Sequence, residues 1–201
     1  MVSHLPPTRL TFLSHAATQA QRRAAFPGDE LLADSDLTAL AAPGWKMPRV
    51  QRVLSGPEHR TRQTAQALGL SAAIATELRD CDYGSWSGLD LDDVQTQNPD
   101  GLAAWLTDPA AAPHGGESIL KLLKRIGNWL DQQHNTGHTI AVTHPAVIRA
   151  AIIYVMESPP QSFWRLDIAP LSLTDLRFNG RAWTVRSSGL PLRHTDGANA
   201  D

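Results

Sequence analysis

The chain has 201 residues, a formal net charge of −2, 42% hydrophobic and 19% charged residues. That length suits one domain, and this apolar content forms a core without disulfides or a structural metal; the near-neutral charge gives no footprint for nucleic acid or an anionic membrane. The single cysteine, Cys81, excludes an internal disulfide and suits a reducing cytoplasm, and neither a membrane span nor a signal-peptide pattern is present.

In chain order, Thr8–Ser14 reads as a strand that runs into His15. Ala16–Ala25 is a short helix or a loop over a site, closed by the turn Phe26-Pro27-Gly28-Asp29. Asp36–Ala42 has apolar residues at helical spacing and stops at Pro43-Gly44. Val50–Ser55 is a second strand. A helix follows from Gly56-Pro57 through Leu68, with Thr61, Thr64, Ala65 and Leu68 on one face and Gly69 as its stop. Ala72–Glu77 is a third strand, and Leu78–Gly88 is a loop dense in Asp, Gly and aromatics. Leu89–Gln97 and Gly101–Leu106 read as short helices around Asn98-Pro99.

The clearest helix is Glu117–His134, whose Ile119, Leu122, Leu123, Ile126, Trp129 and Leu130 form one stripe. Thr139–Thr143 is a buried strand that ends at His144, and Pro145–Met156 is a helix. Pro159–Trp164 is a further helical turn. Leu171–Phe178 and Arg181–Ser187 flank Asn179-Gly180, a two-residue hairpin signal. Strands alternating with helices imply a three-layer α/β/α sandwich, its central sheet mostly parallel with an antiparallel edge hairpin. The expected organisation is one domain over residues 1–190 and a flexible C-terminal tail over 191–201.

Sites in such sheets form beyond the carboxyl ends of the strands. His15 and His144 stand at two such ends, Arg60 follows the second strand and Asp80 the third. Imidazole is a competent nucleophile toward phosphorus, guanidinium fits phosphate oxygens, and a carboxylic acid can protonate a leaving oxygen. The set therefore suits phosphoryl chemistry. No His-x-x-x-His or Asp-x-His spacing supports the competing reading, a metal hydrolase, so no metal and no other cofactor is expected.

These residues lie in ordered motifs: Ser14-His15-Ala16-Ala17-Thr18, Arg60-Thr61-Arg62-Gln63-Thr64-Ala65, Leu78-Arg79-Asp80 with Gly84, Trp86 and Gly88, then His114-Gly115-Gly116-Glu117-Ser118, and Val142-Thr143-His144. Together they resemble the histidine phosphatase superfamily, also called phosphoglycerate mutase-like. The resemblance implies that His15 is the phosphorylated nucleophile and that Asp80 is the general acid and base. Arg60 and His144 would hold the phosphoryl oxygens, with Ser14, Thr18, His114 and Thr143 bordering the substrate. It implies a cytoplasmic phosphatase acting on a small phosphorylated molecule, as a monomer or homodimer. A mutase, a phosphoprotein phosphatase and an inactive member that binds an anionic metabolite are the alternatives.

Four departures from the family pattern stand out. Ser14 replaces an arginine, and loss of a preorganised donor costs about 10²–10³ in rate. Arg22 or Arg23, just after Thr18, is expected to supply that charge, with Arg62 and His59 as further candidates. Ala16 replaces a glycine and requires a backbone with φ below zero. Asp80 is one methylene shorter than the usual Glu, and Pro145 removes a backbone N–H beside the second histidine.

Overall fold

The computed structural model describes residues 8–41, 49–134 and 136–192. The lead Met1–Pro7, the Pro43-Gly44 stop and the tail beyond Leu192 lie outside these residues. The strands are β1 (Thr8–Ser14), β2 (Arg52–Ser55), β3 (Ala73–Ile74), β4 (His138–Thr143), β5 (Ser172–Phe178) and β6 (Trp183–Pro191). The helices are α1 (Gln19–Arg22), α2 (Asp34–Leu40), α3 (His59–Ala67), α4 (Leu91–Gln97), α5 (Pro99–Thr107), α6 (Ile119–Asp131) and α7 (Pro145–Val155).

The strands form one sheet in the order β3-β2-β4-β1-β5-β6. β3, β2, β4 and β1 run parallel, whereas β5 and β6 are antiparallel additions at the β1 side. Side chains alternate across the pleat and so feed two apolar layers. Leu10, Phe12 and Ala141 pack with Leu122, Ile126 and Ile148 of α6 and α7. Leu13, Ile140 and Val142 point the other way, onto Ala65 of α3. A sheet covered on both faces explains why β1 and β4 carry apolar runs. Each fully buried Leu, Ile or Phe among them contributes roughly 1.5–3 kcal/mol.

Several predicted boundaries shift for local reasons. The expected third strand, Ala72–Glu77, is only the two-residue β3, because the chain turns into a 3₁₀ segment at Thr76–Leu78. The helix after β2 starts at His59 with Glu58 at its N-cap, so Gly56-Pro57 precede the helix they were expected to open. The long helix starts at Ile119 because the Ser118 hydroxyl accepts the Lys121 N–H, a cap worth ~1 kcal/mol. Asn98 ends α4 and caps α5, so Pro99 sits in the first turn of α5. The last strand runs past the expected Ser187 to Pro191, where Pro191 pairs with Ser172.

Parallel order places the carboxyl ends of β1, β4 and β2 side by side. Ser14 lies opposite Thr143, and the ladder continues with the His15 N–H donating to the Thr143 carbonyl at 3.0 Å. On the other side of β4, the Gly56 N–H donates to the Val142 carbonyl at 2.9 Å. The two histidines are thus delivered by neighbouring strands.

Candidate active site

His15 is 2% exposed, and its Nδ1–H donates to the Ala16 carbonyl at 2.7 Å. That contact fixes the tautomer and leaves Nε2 with its lone pair free. Burial, then the charges of His144 and Arg60, lower its pKa to about 3. The imidazole is therefore neutral at neutral pH. Its ring stands edge-on to His144, with centroids 5.2 Å apart. Ala16 is held by the Thr64 hydroxyl, which accepts the Ala16 N–H at 3.0 Å. Ala16 is absent from the non-glycine residues with positive φ, which is the backbone its side chain requires.

Arg60 is 1% exposed. Burying a guanidinium costs several kcal/mol unless it is paired. Its Nη1 donates to the Gly28 carbonyl and its Nη2 to Asp80 Oδ2 at 2.6 Å. The second Asp80 oxygen accepts the Cys81 N–H at 2.8 Å. Burial raises the Asp80 pKa, but the His144 and Arg60 charges outweigh it and the net shift is downward. Asp80 Oδ2 also lies 3.4 Å from His144 Nδ1. One carboxylate oxygen thus sits between the two groups that the sequence assigns to phosphate.

Glu58 was not foreseen as part of this cluster. Its Oε2 lies 2.7 Å from His144 Nε2, and its Oε1 accepts the Asp80 N–H at 3.0 Å. A carboxylate at the N-cap of a helix beyond a strand end was the signal available. Its partner is 86 residues away, so the sequence did not show what it would meet. Three buried polar atoms in this cluster have no hydrogen-bond partner among the described residues: Ser14 Oγ, Arg60 Nε and His144 Nδ1. Native interiors rarely leave such atoms unmet, and a ligand, an ordered water or a catalytic role accounts for those that stand out. A cavity of about 410 Å³ adjoins Arg60 and is also lined by Glu58, Asp80, Gly28, Asp82 and Tyr83, whereas Ser14, His15 and His144 are not among its lining residues.

Other expected residues have different surroundings. Arg22 pairs with Asp36 at 2.8 Å and Arg23 lies 3.8 Å from Asp90, both with exposed side chains. Neither supplies the charge missing at Ser14, which corrects that expectation. The cause is the Thr18 capping box: its hydroxyl accepts the Gln21 N–H and starts α1, which carries both arginines onto the surface. Thr18 is therefore occupied as a cap. His59 pairs with Asp29 at 2.9 Å. The Thr143 hydroxyl donates to the Leu78 carbonyl and ties β4 to the Asp80 loop. His114 is buried against Trp86, with centroids 5.0 Å apart, and its Nδ1 accepts the Gly116 N–H. Trp86 packs in the same aromatic group.

The histidine phosphatase superfamily (branch 1) model matches residues 12–190. The glucosyl-3-phosphoglycerate phosphatase of Mycolicibacterium vanbaalenii is 31% identical, over 88% of this chain and 94% of that protein. The bifunctional protein Rv2228c of Mycobacterium tuberculosis is 27% identical over 87% of this chain, which spans only 52% of that relative's length. A putative alpha-ribazole-5'-P phosphatase from Escherichia coli superposes with a TM-score of 0.79, covering 96% of this chain and 99% of that one. At 20% identity that likeness shows the shared fold.

Proposed function

We propose that this chain, which belongs to the histidine phosphatase superfamily, hydrolyses a small phosphomonoester through a phosphohistidine on His15. The observation that carries the reading is the neutral, oriented imidazole of His15 beside Arg60 and His144, whose Nε and Nδ1 atoms have no partner among the described residues. The phosphatase relatives and the cavity lined by Arg60 and Asp80 support it.

In the first step His15 Nε2 attacks phosphorus. The N–P bond forms, the P–O bond to the leaving group breaks, and a proton passes from Asp80 to the departing oxygen. In the second step water attacks the phosphohistidine and gives its proton to Asp80. The P–N bond breaks and neutral His15 returns. Arg60 and His144 hold the phosphoryl oxygens in both steps. In the free site Asp80 is ionised, because Arg60 and His144 face it. An arriving phosphate dianion competes for those two partners and places negative charge beside the carboxylate. Both changes raise the affinity of Asp80 for a proton, so substrate loads the acid as it binds.

The second reading is a member that binds an anionic metabolite without turnover. The buried Ser14 in place of an arginine favours it, since Arg22 and Arg23 do not compensate. Phosphate release from an aryl phosphomonoester by the wild type, lost in His15→Ala, decides for the enzyme. Phosphate binding with no release across aryl, sugar and glycerate phosphates decides for the binder.

A further inference from the structure

Glu58 is the N-cap of α3, where a carboxylate ordinarily accepts N–H groups of its own helix. It makes no such bond. Its two oxygens instead reach His144 Nε2 at 2.7 Å and the Asp80 N–H at 3.0 Å, joining the loops after β2 and β4 to the segment that carries Asp80. Burial raises the Glu58 carboxyl pKa, but the His144 hydrogen bond and charge bring it below the ordinary value. The space for this contact exists because residue 56 is glycine. A Cβ there would stand 3.0 Å from Glu58 Oε2, 3.1 Å from His144 Nε2 and 2.9 Å from the Leu78 carbonyl oxygen.

We infer that Glu58 is a positioning residue that holds His144 by its far nitrogen and keeps the near one, Nδ1, directed at a phosphoryl oxygen. The inference rests on the phosphoryl-transfer reading of the site. His144 is fully buried, and its Nδ1 has no hydrogen-bond partner among the described residues. That nitrogen faces Asp80 Oδ2 at 3.4 Å. The other charged or titratable neighbours of the ring are Glu58, His15 and, through their shared contact with Asp80, Arg60. A carboxylate bonded to the far nitrogen of an imidazole fixes its tautomer and stabilises positive charge on the ring. Paired in this way, His144 offers phosphate a second oriented contact beside Arg60, in place of the one that an arginine at position 14 would give.

The test uses the full chain with Glu58→Gln and Glu58→Ala. Turnover of an aryl phosphomonoester is measured together with the imidazole ¹⁵N resonances of His144. Glu58→Gln matches the shape and can keep an acceptor for Nε2–H but loses the charge; Glu58→Ala loses both. The expected result is a kcat per folded protein lowered by about 10²-fold in Glu58→Ala, in the range of a lost preorganised donor, with a smaller loss in Glu58→Gln. KM changes less than kcat, and the His144 Nε2 resonance moves in Glu58→Ala. A purely structural Glu58 would lower the folded fraction and leave kcat per folded protein unchanged. Both variants within twofold of wild type in kcat, with an unchanged His144 resonance, would overturn the inference. If the wild type itself releases no phosphate, the function reading fails instead. The ¹⁵N resonances, recorded with and without inorganic vanadate, then still decide the Glu58 pairing: a Glu58-dependent Nε2 proton and a vanadate shift at Nδ1 support it, and their absence refutes it.

Discussion

At the scale of single residues, the site depends on which atoms are already engaged. In the proposed mechanism substrate competes for Arg60, which bonds Asp80 Oδ2 at 2.6 Å, and for His144, whose Nδ1 lies 3.4 Å from it. Asp80→Asn should therefore lower kcat by about 10²–10⁴ on alkyl phosphates. The loss should be smaller on an aryl phosphate, whose leaving oxygen needs less protonation; equal losses on both substrates would contradict an acid role. Ser14 Oγ is buried without a hydrogen-bond partner among the described residues. Ser14→Ala removes an unmet polar group, so its unfolding midpoint in urea should be unchanged or higher. If that hydroxyl meets the substrate, kcat/KM should fall about fivefold, the worth of a net hydrogen bond of ~1 kcal/mol. The meeting of His15, His144, Arg60 and Asp80 was legible because each follows a strand in a motif of fixed spacing. Arg22 and Arg23 were misread because nearness to Thr18 along the chain says nothing about direction. Their partners, Asp36 and Asp90, come from other parts of the fold.

At the scale of elements, α6 braces the segment that carries Asp80. Arg125 donates to both Glu117 oxygens and to the carbonyls of Glu77, Arg79 and Asp80. Glu117 is 8% exposed, so removing its partner leaves a buried charge, with only Arg79 nearby, at 3.6 Å, among the described residues. Arg125→Ala should cost about 3 kcal/mol in urea unfolding, the lower end for a broken buried pair. The double variant Arg125→Met with Glu117→Gln should cost less, because no charge is then stranded. If the double variant is the less stable of the two, the network acts through packing alone. The stripe on α6 and the apolar β4 were legible because local periodicity determines them, whereas the hairpin at Asn179-Gly180 has a four-residue connection, 179–182, instead of two, because the Asn179 side chain accepts the Arg181 and Ala182 N–H groups. β3 was overdrawn because only two residues pair before the chain turns. Cap positions shifted by a residue or two because capping depends on which side chain meets the free N–H groups, as Ser118 does.

At the scale of the whole molecule, buried histidines tie stability to pH. Burial lowers the pKa of His15, His114 and His138 in the folded chain, whereas unfolded histidine titrates near ~6.5. Below that value the unfolded chain takes up protons that the folded chain refuses, so stability falls as pH falls. For His15 the window runs down to about 3. Glu58 and Asp80, also lowered in the fold, extend the loss through the carboxylate range. The thermal midpoint should therefore drop between pH 7 and pH 5, and His15→Gln should flatten part of that slope; a wild-type midpoint independent of pH in this range would contradict the burial of neutral His15. The parallel order that brings β1 beside β4 was legible only as a class of fold, since strand order follows from long-range packing. The proposed mechanism requires phosphate on His15 during turnover. Its most direct test is rapid quenching of the wild type with a phosphomonoester under alkaline conditions, followed by mass spectrometry of the peptide that contains residues 9–22. The expected result is one phosphoryl group on His15 that decays at the rate of phosphate release. Steady turnover with no phosphoryl group on that peptide at any time, or with it on another residue, would contradict it.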